Sequence, residues 1–299
     1  MNGIIIKAIS GFFYVDCENQ IIECKARGSF RKENITPVTG DYVEFEFDGE
    51  KGIINKILPR KNKLVRPPVA NIDKLIIVSS YETPAPNTFL IDRVVAIAES
   101  KNIEPIIVFN KTDLGNFDAI KSVYEKAGFK TIISSAVTGE GIEEIKECLK
   151  NSVCAFAGNS GVGKSSIINS IFPELELKTG DVSQKLGRGR HTTRDVTLYR
   201  VCGGYLADTP GFSSFDLERC ERVYKQELPF AFREFRPYLN NCKFSPSCSH
   251  TCEKGCAVIA AKDSGEIAQS RHSSYCRLFE EIKDIKDWEI KKSNRYSQN

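Results

Sequence analysis

The segment GNSGVGKS at 158–165 restricts the possible folds of this chain more than any other. It fits G-x-x-x-x-G-K-[ST] and lies between an apolar run, VCAFA, and a run of helical character, KSSIINSIF. Glycines let such a loop turn so that its backbone N–H groups face a phosphate. The loop works only with a strand before it and a helix after it. A second short segment, NKTD at 110–113, follows the apolar run EPIIVF. It has the form of the tetrapeptide that reads guanine in GTP-binding proteins. There the phosphate loop normally comes first, whereas here it comes second.

The other pieces expected of a guanine-nucleotide site are present in the same rotated order. After NKTD comes SSA at 134–136, then the phosphate loop, then GRGRHTTRD, then DTPG at 208–211. Each has a chemical task. Asp113 can accept from the guanine N1–H and N2–H₂ while Asn110 holds the loop and Lys111 lies along the base, with Thr112 between them. Adenine lacks those donors, so it would leave a buried carboxylate unpaired, and discrimination of that kind reaches roughly 10⁴–10⁵. Ser134, Ser135 and Ala136 would bring a backbone N–H near guanine O6. Gly158, Asn159, Ser160, Gly161, Val162, Gly163, Lys164, Ser165 and Ser166 are expected around the phosphates, with Lys164 reaching the β- and γ-phosphates. Mg²⁺ is expected on Ser165, Thr193 and Asp208, and Gly211 can offer its N–H to the γ-phosphate. With every piece at a strand end, a sheet whose ends have been rejoined can carry them all, so the order is that of a circularly permuted GTPase domain. Chain ends that lie close together make such a rearrangement tolerable.

The flanks of this domain read differently. Residues 1–66 fall into five short alternating runs separated by turn residues, which suits a small barrel of the OB type. Lys25, Arg27, Arg31 and Lys32, with Phe12, Phe13 and Tyr14, suggest a nucleic-acid surface on it. From about residue 70, continuous apolar runs such as KLIIVSS alternate with helical spacing such as TFLIDRVVAIAES, which predicts a parallel sheet with crossover helices. The last part, 223–299, carries NNCKFSPSCSHTCEKGC between helical stretches. The expected organisation is therefore multidomain: a barrel over 1–66, a permuted α/β GTPase domain over 67–222, and a mostly helical zinc-binding part over 223–299.

Composition bounds the rest. The 299 residues are 41% hydrophobic and 27% charged, and a net charge of +3 is too small to argue for nucleic acid by itself. The N-terminal GIII lacks the features of a signal peptide, and no apolar run approaches the roughly 20 residues of a membrane span. A cytoplasmic monomer without a membrane partner is the expectation. Four of the 11 cysteines lie between 242 and 256, which points to metal rather than to disulfides. A closed zinc site takes four ligands, and five candidates are present: Cys242, Cys248, His250, Cys252 and Cys256.

The permuted order, GNSGVGKSSIIN, GRGRHTT, DTPGF, the preceding barrel and the following Cys/His cluster together resemble the bacterial small-ribosomal-subunit-dependent GTPase A family over essentially the whole chain. The resemblance implies a late assembly factor that binds the small ribosomal subunit and its rRNA, with GTP hydrolysis stimulated by that subunit. It also implies one structural Zn²⁺, with Mg²⁺ accompanying GTP. The family's zinc pattern is C-x4-C-x-H-x5-C. Cys248, His250 and Cys256 match it, but the first gap is one residue longer here, so Cys242 and Cys252 remain alternatives for the first ligand. The residue after DTPG is Phe212, which cannot orient a water as the glutamine of many GTPases does. His191 is the candidate for that task, on its place beside the threonines and on the family likeness, with Lys164 and Thr193 as the other catalytic candidates. The alternative reading is an RNA-binding checkpoint that senses GTP with little hydrolysis of its own. An ATP-driven nucleic-acid motor is disfavoured by NKTD.

Overall fold

The structure is a computed structural model that describes residues 1–28, 30, 35–175, 196–208, 217 and 221–285. The first five strands are β1 (Asn2–Ile9), β2 (Phe12–Cys17), β3 (Gln20–Ala26), β4 (Tyr42–Asp48) and β5 (Lys51–Ile57). They close in the order β1-β2-β3-β5-β4 and back to β1, with β3–β5 the parallel pair and the others antiparallel. Alternation decides which side chains fill the barrel: Ile5, Val15, Cys24, Val43, Phe45 and Ile54 are inside. Shifts of register at Ile5/Lys7 in β1 and at Glu44/Phe45 in β4 supply the local bends that closure requires. Packing across the interior is tight. A Cβ on Gly52 would lie 2.4 Å from the Cys24 sulfur. Phe13 is also in this core, so the outer surface expected to present it keeps only the half-buried Phe12 and Tyr14.

A small ladder, β6 (Lys63–Leu64) with β7 (Val69–Ala70), flanks Pro67-Pro68 and leads into the main sheet. There β8 (Lys74–Ser80), β9 (Glu104–Asn110), β10 (Lys130–Ser134), β11 (Val153–Ala157) and β13 (Gly204–Asp208) run parallel, in the order β10-β9-β8-β11-β13. The antiparallel strand β12 (Thr197–Val201) pairs with β13, and Lys7 of β1 pairs with its Thr197, so the barrel covers what would otherwise be an open sheet edge. The continuous apolar runs are buried on both faces, as parallel strands under crossover helices must be. Leu75 and Ile77 of β8 face one core and Ile76 and Val78 face the other.

The crossover helices are α1 (Thr88–Ser100), α2 (Asp118–Lys126), α3 (Ile142–Leu149) and α4 (Lys164–Ile171). Asn87 starts α1 by accepting from the Leu90 N–H at 3.2 Å, which satisfies one of the free donors of the first turn. Nearly the whole circumference of α1 is buried, from Ile91 to Ala98. The reason is that the sheet lies on one side and two C-terminal helices on the other, α5 (Leu228–Ala231) and α7 (Gln269–Ile282), with α6 (Ala257–Asp263) between them in the chain. Phe232, Phe235 and Tyr275 of that part share one core with Val94 and Val95 of α1. Cys148 and Cys154 are buried packing residues. Among the described residues, no helix is long and apolar enough to cross a membrane.

The rotated motif order has a local explanation. Helix α3 ends at Leu149 and β11 begins at Val153, so the three residues 150–152 join the two ends that the usual order leaves free. The Asn151 N–H donates to the Cys202 carbonyl in the β12–β13 hairpin, which pins this joint. The compensating opening lies between Val65 and Glu221. There the buried Glu221 carboxylate accepts from the Val65 N–H and pairs with Lys101 at 3.2 Å.

Candidate functional site

The phosphate loop runs from the end of β11 into α4. Gly158 has φ 144, and a Cβ there would lie 2.4 Å from the Val78 carbonyl oxygen, so the loop can pass β8 only as glycine. Gly163 has φ 95, and its missing side chain leaves room for Asn110, whose Nδ2 would be 2.2 Å from a Cβ. This is the contact that unites the two motifs. Asn110 Nδ2 donates to the Val162 carbonyl at 2.9 Å, and its Oδ1 accepts from Ser134 Oγ at 3.2 Å. One buried amide thus ties NKTD, SSA and the phosphate loop together across 52 residues of chain.

Lys164 folds over the loop, its ammonium donating to the carbonyls of Gly158 at 2.6 Å and Asn159 at 2.9 Å. Burial lowers its pKa to about 8. A polyphosphate is the counter-charge this geometry suits. Asp208, at the end of β13, is shifted the opposite way, its pKa raised by burial, which fits a carboxylate placed for a cation.

In the base-reading part, Lys111 adopts φ 67 and its ammonium donates to the carbonyls of Glu82 and Thr83, at 3.4 and 3.2 Å. The Ser135 hydroxyl accepts from the N–H groups of Val137 and Thr138, at 3.3 and 3.2 Å, so its proton is directed to Asp113 Oδ1 at 2.6 Å. That bond fixes the carboxylate and leaves its second oxygen for a ligand. Thr112 Oγ1 lies 3.2 Å from the Ser134 carbonyl and 2.6 Å from Glu140 Oε2. Glu140 was not identified from the sequence. Only its position six residues after Ser134 could have drawn attention to it.

His191, Thr193 and Gly211 lie outside the described residues, as do Arg31 and Lys32. Lys25 and Lys51 approach the Phe12 ring from within 5.3 and 5.5 Å, and exposed Arg27 pairs with Glu46 at 3.8 Å. These cations and the ring share the outer face of the barrel.

A second site lies in the C-terminal part. Cys242, Cys248, His250 and Cys256 are all buried, with one ligand atom each within 4.8 Å of the others. Cys252 is exposed and stands apart from this group. A tetrahedral ion with Zn–S near 2.3 Å and Zn–N near 2.0–2.1 Å requires S···S of about 3.8 Å and S···N of about 3.5–3.6 Å. The Cys242 and Cys256 sulfurs are 3.7 Å apart, and His250 Nδ1 lies 3.5 and 3.4 Å from them. Burial pushes the Cys248 and Cys256 thiols up and lowers the His250 imidazole, which disfavours charge on these groups unless a cation sits among them. Glu253 shapes the intervening loop, and the sequence reading missed it. Its carboxylate accepts from the N–H groups of Ser249, Thr251 and Cys252, at 2.7, 3.2 and 3.2 Å; burial opposes its charge, but the Ser249 hydroxyl and the N–H groups of Ser249, Glu253 and Cys252 hold its pKa at about 2.

Comparison with known proteins agrees with this geometry. A family model described as RsgA GTPase matches residues 57–218, and one described as RsgA N-terminal domain matches residues 2–54. The small ribosomal subunit biogenesis GTPase RsgA of Caldanaerobacter subterraneus subsp. tengcongensis is 48% identical over 289 residues, which are 95% of this chain and 96% of that protein. The crystal structure of YjeQ from Thermotoga maritima superposes with a TM-score of 0.80 at 36% identity, covering 95% of this chain and 99% of that one. That of YloQ, a circularly permuted GTPase, gives 0.79 at 35% identity, covering 95% and 96%.

Proposed function

The chain belongs to the RsgA GTPase family, and we propose from that premise that its hydrolysis of GTP to GDP and phosphate serves late assembly of the small ribosomal subunit. The observation that supports the nucleotide part is the bond from the Asn110 amide to the Val162 carbonyl, which joins the NKTD segment to the phosphate loop. In this reading Asp113 reads the base, Lys164 neutralises charge on the β- and γ-phosphates, and Ser165, Asp208 and Thr193 hold Mg²⁺, which supplies further charge neutralisation at the γ-phosphate. His191 orients the attacking water, because Phe212 after DTPG has no polar group to do so. Cys242, Cys248, His250 and Cys256 hold one Zn²⁺ with a structural role. The outer face of the barrel, with Lys25, Arg27 and Phe12, contacts rRNA, and the protein works as a cytoplasmic monomer.

The test is GTP turnover measured alone, with small subunits and with large subunits. Stimulation by small subunits alone is expected, and equal turnover in all three refutes the proposal. His191→Ala should retain GTP and subunit binding and lose the stimulation. Normal stimulated turnover in that variant would mean that the ribosome supplies the group that orients the water.

A further inference from the structure

We propose that Glu140 is a positioning residue for guanine recognition, acting through the hydroxyl of Thr112. The inference rests on the guanine-nucleotide reading above and deepens it. The two loops that would hold the base are separate: NKTD at the end of β9, and residues 135–141 between β10 and α3. The second loop folds back on itself. The Ser135 N–H donates to the Glu140 carbonyl at 3.0 Å, and the Gly139 N–H donates to the Ser135 carbonyl at 2.8 Å. Gly141, at φ 71, makes the return possible, since a Cβ there would lie 2.0 Å from the Ile133 carbonyl oxygen. The Glu140 side chain is thereby delivered against NKTD, where Oε2 accepts from Thr112 Oγ1 at 2.6 Å. A short bond to a charged acceptor is stronger than a neutral one.

Besides the bonds that Ser134, at the end of β10, makes with Asn110 and Thr112, a further tie joins Ser135 Oγ to Asp113 Oδ1. That bond orients the Asp113 carboxylate but does not by itself fix how the 135–141 loop sits against NKTD. The Glu140 bond, at the residue before Asp113 and at the far end of the returning loop, fixes that placement. The position of Asp113 then agrees with both guanine donors at once. Glu140 bonds to Thr112 and not to Asp113. Its effect must appear as the quality of base discrimination and not as a loss of phosphate binding.

The experiment is calorimetric titration of the full chain with GDP, IDP and ADP. IDP lacks the 2-amino group that the second oxygen of Asp113 reads. Glu140→Ala and Thr112→Val are each expected to weaken GDP about three- to tenfold, to weaken IDP less, and so to narrow the GDP/IDP ratio. The double variant should be no worse than either single one. Glu140→Gln, which keeps an acceptor oxygen, should restore most of the ratio. A GDP/IDP ratio unchanged in Glu140→Ala overturns the inference, as do losses that add in the double variant. Equal binding of GDP and ADP by the unmodified protein overturns the guanine reading, and the inference falls with it.

Discussion

Replacing Arg271 by Met should cost this protein more stability than any surface substitution, although the residue reads as an ordinary polar position in QSRHSSYCRLFEEI. Its side chain is 1% exposed and forks between Asp92 of α1, also 1% exposed, and Glu234, 5% exposed. The bonds are Nη1 to Asp92 Oδ1 at 2.6 Å and Nε to Glu234 Oε1 at 2.7 Å. Burial opposes the guanidinium charge, but the two carboxylates more than offset this and raise its pKa. With all three groups shielded from water, screening gives little relief. Removing the cation strands two buried carboxylates, at about 3–5 kcal/mol. Loss of the guanidinium over Phe232, 4.5 Å from the ring centre, adds about 1 kcal/mol. The sum, about 4–6 kcal/mol, is a large part of the roughly 5–15 kcal/mol of a typical domain. Urea unfolding followed by circular dichroism measures it. Arg271→Met with Asp92→Asn and Glu234→Gln should recover at least half, since the stranded charges are gone. A loss below about 1 kcal/mol for Arg271→Met would refute the reasoning. So would a triple variant as unstable as the single one, because the cost would then be packing.

Three further outcomes are expected. Because burial lowers Lys164 to about 8 in the free protein and bound phosphates raise it again, GDP affinity without Mg²⁺ should be full below that pH. It should fall about tenfold between pH 7 and 9, and Lys164→Met should flatten the profile in calorimetry. Metal analysis of purified protein should find one Zn²⁺, lost in His250→Ala and Cys256→Ala and kept in Cys252→Ala; zinc kept without Cys242 would contradict the assignment. Glu221→Ala, which removes the acceptor for Val65 N–H and Lys101 at the opening of the permuted domain, should cost about 2 kcal/mol, measured in the same urea assay.

Where the sequence was legible, one element decided its own structure. KLIIVSS is apolar throughout because β8 is covered on both faces, and VCAFA followed by a glycine loop leaves a P-loop helix as the natural continuation. NKTD and GNSGVGKS could be assigned to one site in advance because Asp113 and the loop N–H groups have known chemical tasks toward base and phosphate. The unreadable parts are those that need two distant segments at once. The pairing of Lys7 with Thr197 depends on how the barrel docks. The Arg271 cluster joins residues 179 apart. Spacing alone left Cys242 and Cys252 open, and only the backbone path distinguishes a sulfur 3.7 Å from Cys256 from one exposed to solvent.

The permutation gives these long-range contacts a common consequence. In the usual motif order the strand that ends in DTPG would be followed by the rest of the sheet. Here that strand, β13, is the last of the domain, and the chain proceeds to Glu221 and the helices packed on α1. The first turns of α1, with Asn87, Leu90 and Ile91, border the same cavity as Asn159 and Val162 of the phosphate loop. Further along, Asp92 and Glu99 of the helix are held by Arg271, Arg233 and Arg236 from the C-terminal part. A nearly fully buried helix cannot slide against one neighbour without disturbing the other, because interiors are close-packed. Helix α1 therefore borders both the phosphate loop and the C-terminal helices, and a shift of either must be accommodated by it. Rejoining the ends of the sheet at residues 150–152 freed the opposite ends to be built around it.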